Sequence, residues 1–290
     1  MLRYSTVTIR LCHRRVPPLI GNGSNMSLKI ATWNMNRWQQ SEAERLGAWS
    51  YLTETVQPDI ALLQETVPPP GQENVVYCMG GIGMRRPWGS AVVGYGRSVT
   101  ELTTVKSPYA DRDVSLLQTH PGCVAIAQTP LPDGSLLTVI SVYGLIDAGY
   151  AQTTVLRILA DLTPIFDTGL FREHMVLGGD LNIGKMGRPT DKHVQRYKLM
   201  FEYFETFGFV DCLDWMFGAA RHLPHCPCGQ ALCRHTRTQR RRQSPDVPYN
   251  NDYILASRGM AERLTSCHAL DQDDAWALSD HCPVVADFDI

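Results

Sequence analysis

Nowhere in the 290 residues does an uninterrupted apolar run approach the roughly 18 positions that span a bilayer, so membrane insertion is not expected. No secretory h-region is visible either, and the nine cysteines are an odd number. Together these point to reduced thiols and a cytoplasmic location rather than a disulfide framework. A large net charge is also lacking. The balance of 27 basic and 29 acidic side chains leaves −2, so attraction to nucleic acid has to come from a local patch. Acidic residues are missing ahead of Glu42, while Arg3, Arg10, Arg14 and Arg15 crowd the same segment. Residues 1–27 read as a disordered tail or as sequence upstream of a start at Met26. A mitochondrial transit peptide is the competing reading. There is no internal repeat, and no linker divides residues 28–290, which therefore read as one domain.

What the chain does contain is 44% hydrophobic residues arranged in a recurring pattern. Short apolar runs, each of strand length, end in polar groups: "LKIATWN" at Asn34, "DIALLQE" at Glu65, "LLTVISVY" at Tyr143, "HMVLGGDLN" at Asp180 and Asn182. "WGSAVVGYG", "CVAIAQT" and "DYILA" are further strands, with the turn "PLPDG" joining the second to "SLLTVISVY". Helical periodicity marks "QTTVLRILADLTPIF" and "DKHVQRYKLMFEYFETFG", the latter stopped by Gly208. Strands mixed with helices, one hairpin among them, imply a mixed sheet in an α/β (α+β) domain. Residues 221–250, poor in apolar side chains and rich in Arg, read as an irregular insertion.

The stretch "HMVLGGDLNIGKM" has two incompatible readings. From Gly179 it spells G-x-x-x-x-G-K, but a phosphate-cradling loop needs Ser or Thr after the Lys, and a helix beyond it. Met186 follows Lys185, "GRPT" interrupts any helix, and Asp180 sets a negative charge inside the cradle. The other reading is a strand delivering carboxylate chemistry. Phosphoester hydrolysis needs charge stabilised on the phosphoryl oxygens, a nucleophile made from water, and a departing oxygen. Hard oxygen ligands for Mg²⁺, a carboxylate base and a histidine donor meet those needs. Asn34, Glu65, Asp180, Asn182, Asp252, Asp280 and His281 supply them at apparent strand ends.

Taken in order, "TWN" (32–34), "LQET" (63–66), "SVYG" (141–144), "GGDLN" (178–182), "NDYILAS" (251–257) and "SDHCPV" (279–284) form a set that resembles the endonuclease/exonuclease/phosphatase, or DNase I-like, superfamily. The resemblance covers residues 28–290. It implies a four-layer α/β sandwich of two packed mixed sheets flanked by helices, with the site at one rim. It also implies Glu65 as the main Mg²⁺ or Mn²⁺ ligand, with Asn34 and Asp280 at or beside the ion. Asp180 would activate the attacking water and Asn182 would hold it. His281 would donate to a non-bridging oxygen with Asp252 fixing its tautomer. Tyr143 would donate near the phosphate, with plain packing as its alternative role.

Abasic-site nucleases of that superfamily carry a Lys after "LQET" and an Asn beyond the Tyr motif. Here Val67 and the run Gly144, Leu145, Ile146 stand there instead. The basic cluster Arg234, Arg237, Arg240, Arg241 and Arg242 suits a polyanion, or is a solvated loop. Cys226, Cys228, Cys233 and His235 have a tighter spacing than common zinc knuckles, with His222 and His225 as substitute ligands. Free thiols are the default there and structural Zn²⁺ the alternative. Three functions follow for test. The first is a divalent-metal-dependent phosphodiesterase acting on DNA or RNA. The second is a phosphatase or phosphodiesterase of an inositol phosphate or phospholipid head group. The third is an inactive binding protein on the same fold.

Overall fold

A computed structural model of the chain describes residues 26–80, 87–147, 151–169, 172–184, 192–217 and 235–290. The first strands are β1 (Ser27–Asn34), β2 (Ile60–Thr66), β3 (Val75–Gly80), β4 (Trp88–Gly94) and β5 (Thr100–Glu101). They are followed by β6 (Thr104–Lys106), β7 (Asp113–Ser115), β8 (Val124–Pro130), β9 (Leu136–Tyr143), β10 (Met175–Asp180) and β11 (Phe209–Asp211). The last are β12 (Gln239–Arg241), β13 (Ser244–Tyr249), β14 (Asp252–Ser257), β15 (Leu264–Ala269) and β16 (Val284–Asp289). Helices are α1 (Glu42–Tyr51), α2 (Ala151–Phe166), α3 (Lys192–Thr206), α4 (Cys212–Phe217), α5 (Arg258–Ala261) and α6 (Asp273–Leu278).

Twelve strands make two six-stranded mixed sheets, ordered β15-β16-β1-β2-β4-β3 and β11-β14-β10-β9-β8-β5. Each has one parallel pair at its centre, β1 with β2 and β9 with β10, and antiparallel neighbours around it. Both faces of each sheet are covered, which is why the central strands read as continuous apolar runs rather than alternating ones. The period of two nevertheless sorts their side chains. Leu28 and Ile30 of β1, Ile60 and Leu62 of β2, Val176 of β10 and Ile254 and Ala256 of β14 share one core between the sheets. Ala31, Trp33, Ala61 and Leu63 turn outward to pack on Ala48, Trp49 and Leu52 in and just after α1. Ile140, Val142, Leu177 and Leu255 turn outward on the other side, against Val155, Ile158 and Leu162 of α2 and Met200 and Phe204 of α3. The order is therefore helix, sheet, sheet, helices, the four layers the sequence motifs implied.

Local signals explain the helix ends. Ser41 and Glu44 form a capping box at the start of α1, which satisfies two orphan backbone donors. Gly208, at φ 87°, ends α3 in the left-handed region that side chains avoid. The apolar face of α3 is narrower than its composition suggests. Met200 and Phe204 are buried while Leu199 and Tyr203 stand exposed, because three- and four-residue steps select only one stripe.

Residues 221–250 are described only from His235 onward, and there β12 and β13 pair as an antiparallel hairpin whose register shifts between Gln239 and Arg241. Cys78, Cys123, Cys212, Cys267 and Cys282 are free thiols, four of them buried and Cys78 only half so. Among the described residues, no helix is long and apolar enough to cross a membrane.

The sheets approach closely at Gly178 of β10. A Cβ there would lie 2.7 Å from Leu62 Cδ1 and 3.0 Å from the Thr32 Cβ of the opposite sheet. Gly178→Val therefore overpacks the inter-sheet core and should lower stability by about 1–3 kcal/mol. Urea unfolding measures this, and a midpoint equal to wild type would contradict the stated closeness of the sheets.

Candidate active site

The inward rows of both sheets change character at one end of the sandwich. In β1 the series Leu28, Ile30, Thr32 arrives at Asn34, and in β10 the series Val176, Gly178 arrives at Asp180. Asp180 is paired in register with Tyr143 on β9 and with Asp252 on β14, so these three side chains form one row on one face. Strand pairing alone thus gathers residues more than a hundred positions apart in sequence.

Glu65 does not belong to its row. Gln64 is the inward-facing neighbour of Asn34, and simple alternation would send Glu65 to the outer face. The pairing of β2 with β4 shifts register between Leu63 and Thr66, and Glu65 adopts φ 45°. This bulge re-aims the carboxylate toward the site, a use of bulges common beside functional centres. Its Oε1 accepts from Asn34 Nδ2 at 3.0 Å. The same Nδ2 donates across to Asp180 Oδ2 at 2.9 Å, so one amide joins the two sheets. Asp180 also accepts from the backbone N–H of Asn182 at 2.8 Å and from its Nδ2 at 3.1 Å. Asn182 sits at φ 49°, a left-handed turn that Asn tolerates.

His281 is held from several directions. Its carbonyl accepts from Trp33 Nε1 at 2.8 Å, and its N–H donates to Ser279 Oγ, which donates to the Asn34 carbonyl. The ring's Nδ1 lies 2.8 and 3.1 Å from the two oxygens of fully buried Asp252, which sets Nδ1 as a donor. Its Nε2 faces Asp180 Oδ2 at 3.8 Å. Asp280 takes the neighbouring position, accepting from Asn36 Nδ2 at 2.6 Å. Glu65, Tyr143, Asp180, Asn182, Asp280 and His281 line one cavity of about 280 Å³, with Trp38 and Gln239 in its walls.

Burial sets the protonation of these groups. Desolvation raises Glu65 above the carboxylate range, partly offset by the hydrogen bonds from Asn34 and Tyr143. Desolvation likewise raises Asp180, against the pull of His281, with Asp252 adding to the rise. For His281, burial works to lower the pKa, but the Asp252 and Asp180 carboxylates overcome it and the imidazole ends above its usual range. The Tyr143 phenol is pushed upward by burial and by Glu65, and so remains a donor.

A divalent cation fits this donor set. Glu65 is nearly inaccessible, is held by the neutral donors Asn34 and Tyr143, and feels a second carboxylate in Asp280. A buried carboxylate with neutral partners beside a like charge is a site that a hard cation would stabilise. Glu65 and Asp280 are the carboxylates that could supply its oxygen ligands, with the Asn34 amide alongside. By proximity Asp180, Asp252 and His281 also cluster, their candidate ligand atoms within 4.8 Å of one another. Their atoms are engaged otherwise, since Asp252 is spent on Nδ1 and Asp180 on Asn34 and Asn182, so that trio is better described as a hydrogen-bonded chain.

The arginines lie on a second surface. A groove of about 740 Å³, lined by Asn36, Asn182, Gln239, Arg240, Arg241, Arg242 and Trp276, shares Asn36, Asn182, Gln239 and Asp280 with the smaller cavity and so leads into it. Arg240 is partly neutralised by Asp271 at 3.3 Å and Asp273 at 3.6 Å, and lies 4.4 Å above the Trp276 ring. Arg237 is outside the groove and paired with Asp271 at 3.8 Å. Arg241 stacks on Tyr249, and Arg242 is exposed. Of the zinc candidates, Cys226, Cys228 and Cys233 lie outside the described residues, as do His222, His225 and Arg234, while His235 is buried. The sequence motifs did not single out Asn36, Trp38, Gln239 or Ser279. Ser279 opens the motif "SDHCPV" but is given no role there, and Asn36 lies two residues beyond Asn34. For Gln239 only the hairpin, invisible as periodicity, brings it in.

The fold and this rim of acids place the chain in a known structural class, the endonuclease/exonuclease/phosphatase, or DNase I-like, fold. An AP endonuclease from Leishmania major superposes with TM-score 0.61 at 15% identity, covering 91% of this chain and 88% of that one. The 3′-5′ exonuclease from Neisseria meningitidis gives 0.59 at 19% identity, over 91% and 100%. TDP2 from D. rerio, complexed with a single-strand DNA product, gives 0.54 at 18% identity, over 91% and 99%. No protein-family model matches the sequence, and no curated protein matches it.

Because Glu65, Asp180 and His281 all bind protons more tightly folded than unfolded, each contributes stability at low pH that fades as pH rises. The cation-free protein should therefore lose Tm steadily from about pH 4, the ordinary carboxylate value, to about pH 10, the raised value of His281. Mn²⁺ or Mg²⁺ should offset the loss, and Glu65→Gln should show both a shallower decline and a weaker response to cation. Thermal scans across this window test it, and a Glu65→Gln profile identical to wild type in both respects would refute the assignment.

Proposed function

We propose that the protein is a divalent-metal-dependent phosphodiesterase whose substrate is nucleic acid, with DNA first. The observation that carries this reading is the convergence of Glu65, Asp180, Asn182 and His281, the last held by Asp252 behind it, on one cavity of about 280 Å³. The cation, when bound at Glu65 and Asp280, supplies Lewis-acid stabilisation of phosphoryl charge. The remaining work belongs to side chains. Asp180, raised by burial into a range where it accepts a proton readily, takes one from the attacking water. Asn182, bonded to the same carboxylate, fixes the direction from which that water approaches. His281, kept protonated by Asp252, presents Nε2–H to a non-bridging oxygen as the new P–O bond forms and the ester P–O bond breaks. The leaving oxygen departs with the bonding electrons and is protonated from solvent. Tyr143 holds Glu65 in place through its phenol.

Support for a nucleic acid substrate comes from the groove that joins this cavity and carries Arg240, Arg241 and Arg242. Structures of the same fold include a Neisseria 3′ phosphatase bound to a product DNA hairpin, in addition to the single-strand DNA complex. Small phosphoesters remain the second reading because the Lys and Asn of abasic-site nucleases are absent and Val67 and Ile146 stand in their region.

With Mg²⁺ or Mn²⁺, cleavage of plasmid or oligonucleotide should fall by about 10²–10⁴-fold in both Asp180→Asn and His281→Ala. Arg242→Ala should mainly weaken binding and reduce its salt dependence, by about one counterion in slope. Full activity in either of the first two variants would overturn the mechanism. Turnover of inositol phosphates in preference to DNA, with no salt dependence, would select the second reading.

A further inference from the structure

Gln239, which the mechanism above does not use, belongs to the walls of both the small cavity and the arginine groove. Its backbone forms an isolated bridge with His281, at the start of the hairpin. The preceding residue anchors it. Thr238 is fully buried, its Oγ1 accepts from the N–H groups of Asn251 and Asp252, and its carbonyl accepts from Cys282 N–H. Gln239 is thus carried on the same backbone framework that positions Asp252 and His281.

The orientation of its side chain is determined by hydrogen-bond chemistry. Oε1 accepts from Asn251 Nδ2 at 2.8 Å and from Arg241 Nε at 3.3 Å. Rotating the amide by half a turn would set its NH₂ against two other donors, so the fixed end is the oxygen. Among the described residues Nε2 donates to no protein group, although the side chain is only partly exposed and lines the cavity. A preoriented, unused donor pair between a phosphoryl site and a cationic groove fits one kind of ligand.

Resting on the function proposed above, the geometry assigns Gln239 as a substrate-contact residue, whose Nε2 donates to a phosphate oxygen of the bound ester at the junction of cavity and groove. The ligand chemistry is a phosphate oxyanion. A neutral amide there binds and orients the ester without the charge of a lysine, and it links groove occupancy to the position of His281.

Gln239→Glu keeps an acceptor for Asn251 and Arg241 but removes the donor and adds a charge, so it is read beside the uncharged Gln239→Met, and the role requires both to lose activity. In Gln239→Glu, Tm should stay at the wild-type value while kcat/KM on a single-stranded oligonucleotide falls by about 10–100-fold. Gln239→Met, which also loses the acceptor, should lose activity and some Tm. Wild-type kcat/KM in either variant would overturn the assignment, as would a loss fully explained by a lower Tm. Inorganic phosphate provides a readout independent of turnover, since its addition should shift the Gln239 side-chain NH₂ resonances. If wild type hydrolyses no ester, the functional proposal fails by itself, and an unmoved Gln239 resonance would separately sink this one.

Discussion

One side-chain amide stands between two buried carboxylates that belong to different sheets. Asn34 Nδ2 donates to Glu65 at 3.0 Å and to Asp180 at 2.9 Å, while its Oδ1 accepts from Asn36 N–H at 2.9 Å. Every hydrogen-bonding direction of the amide matters here, because an unpaired polar group at this depth would cost about 1–3 kcal/mol. The contact also closes the open end of the inter-sheet core, where apolar side chains stop. Asn36, set in register by this bond, extends the same network to Asp280. A network of this kind ties Glu65 and Asp280 to Asp180 through short, geometrically demanding links.

The electrostatics of the rim follow from that arrangement. Four carboxylates, Glu65, Asp180, Asp252 and Asp280, surround one imidazole, and burial penalises the ionised forms of Glu65 and Asp180. Both oxygens of Asp252 face His281 Nδ1. The result is a division of labour by environment. Asp252 is committed to orienting the imidazole, Asp180 lies farther from it at 3.8 Å, and Glu65 is held by a neutral amide and a phenol. Similar side chains acquire different roles through their partners, and strand register chooses the partners.

Much of this was readable in the sequence because strands carry their period openly. Asn34, Asp180 and Asp252 continue or open inward-facing apolar series, so a reading of runs that end in polar groups finds them together with their face. Glu65 was visible as a strand-end acid, but its direction was not, since a positive φ at a non-glycine residue leaves no mark in hydrophobic periodicity. The arginines illustrate a different limit. Composition shows a basic cluster, yet Asp271 and Asp273, some thirty positions away, engage Arg237 and Arg240. Charge pairing between distant segments depends on tertiary placement, which a local count cannot register. Gln239 was hidden for the same reason, because its neighbourhood is built by a hairpin of polar residues with little alternation of its own.

The two surfaces differ in how firmly the fold specifies them. At the rim, backbone ladders place the reacting groups, and their partners are short side chains that lose little rotamer freedom when ordered. The groove depends instead on long arginine side chains, two of them laid over aromatic rings, Arg240 on Trp276 and Arg241 on Tyr249. Stacking of this kind restricts guanidinium groups before any ligand arrives and reduces the entropy a ligand must overcome. Asp271 restrains Arg240 further, and in doing so screens part of its charge. The groove therefore presents a graded field, weakest where Arg240 is paired and strongest toward exposed Arg242. Under the proposed function, a polyanion entering along that groove would meet the uncharged Gln239 before the acidic cavity. The rim is held by strands and the groove by a two-stranded appendage joined to it at Thr238, so on the proposed function the hairpin is the part of the fold that would select the ester.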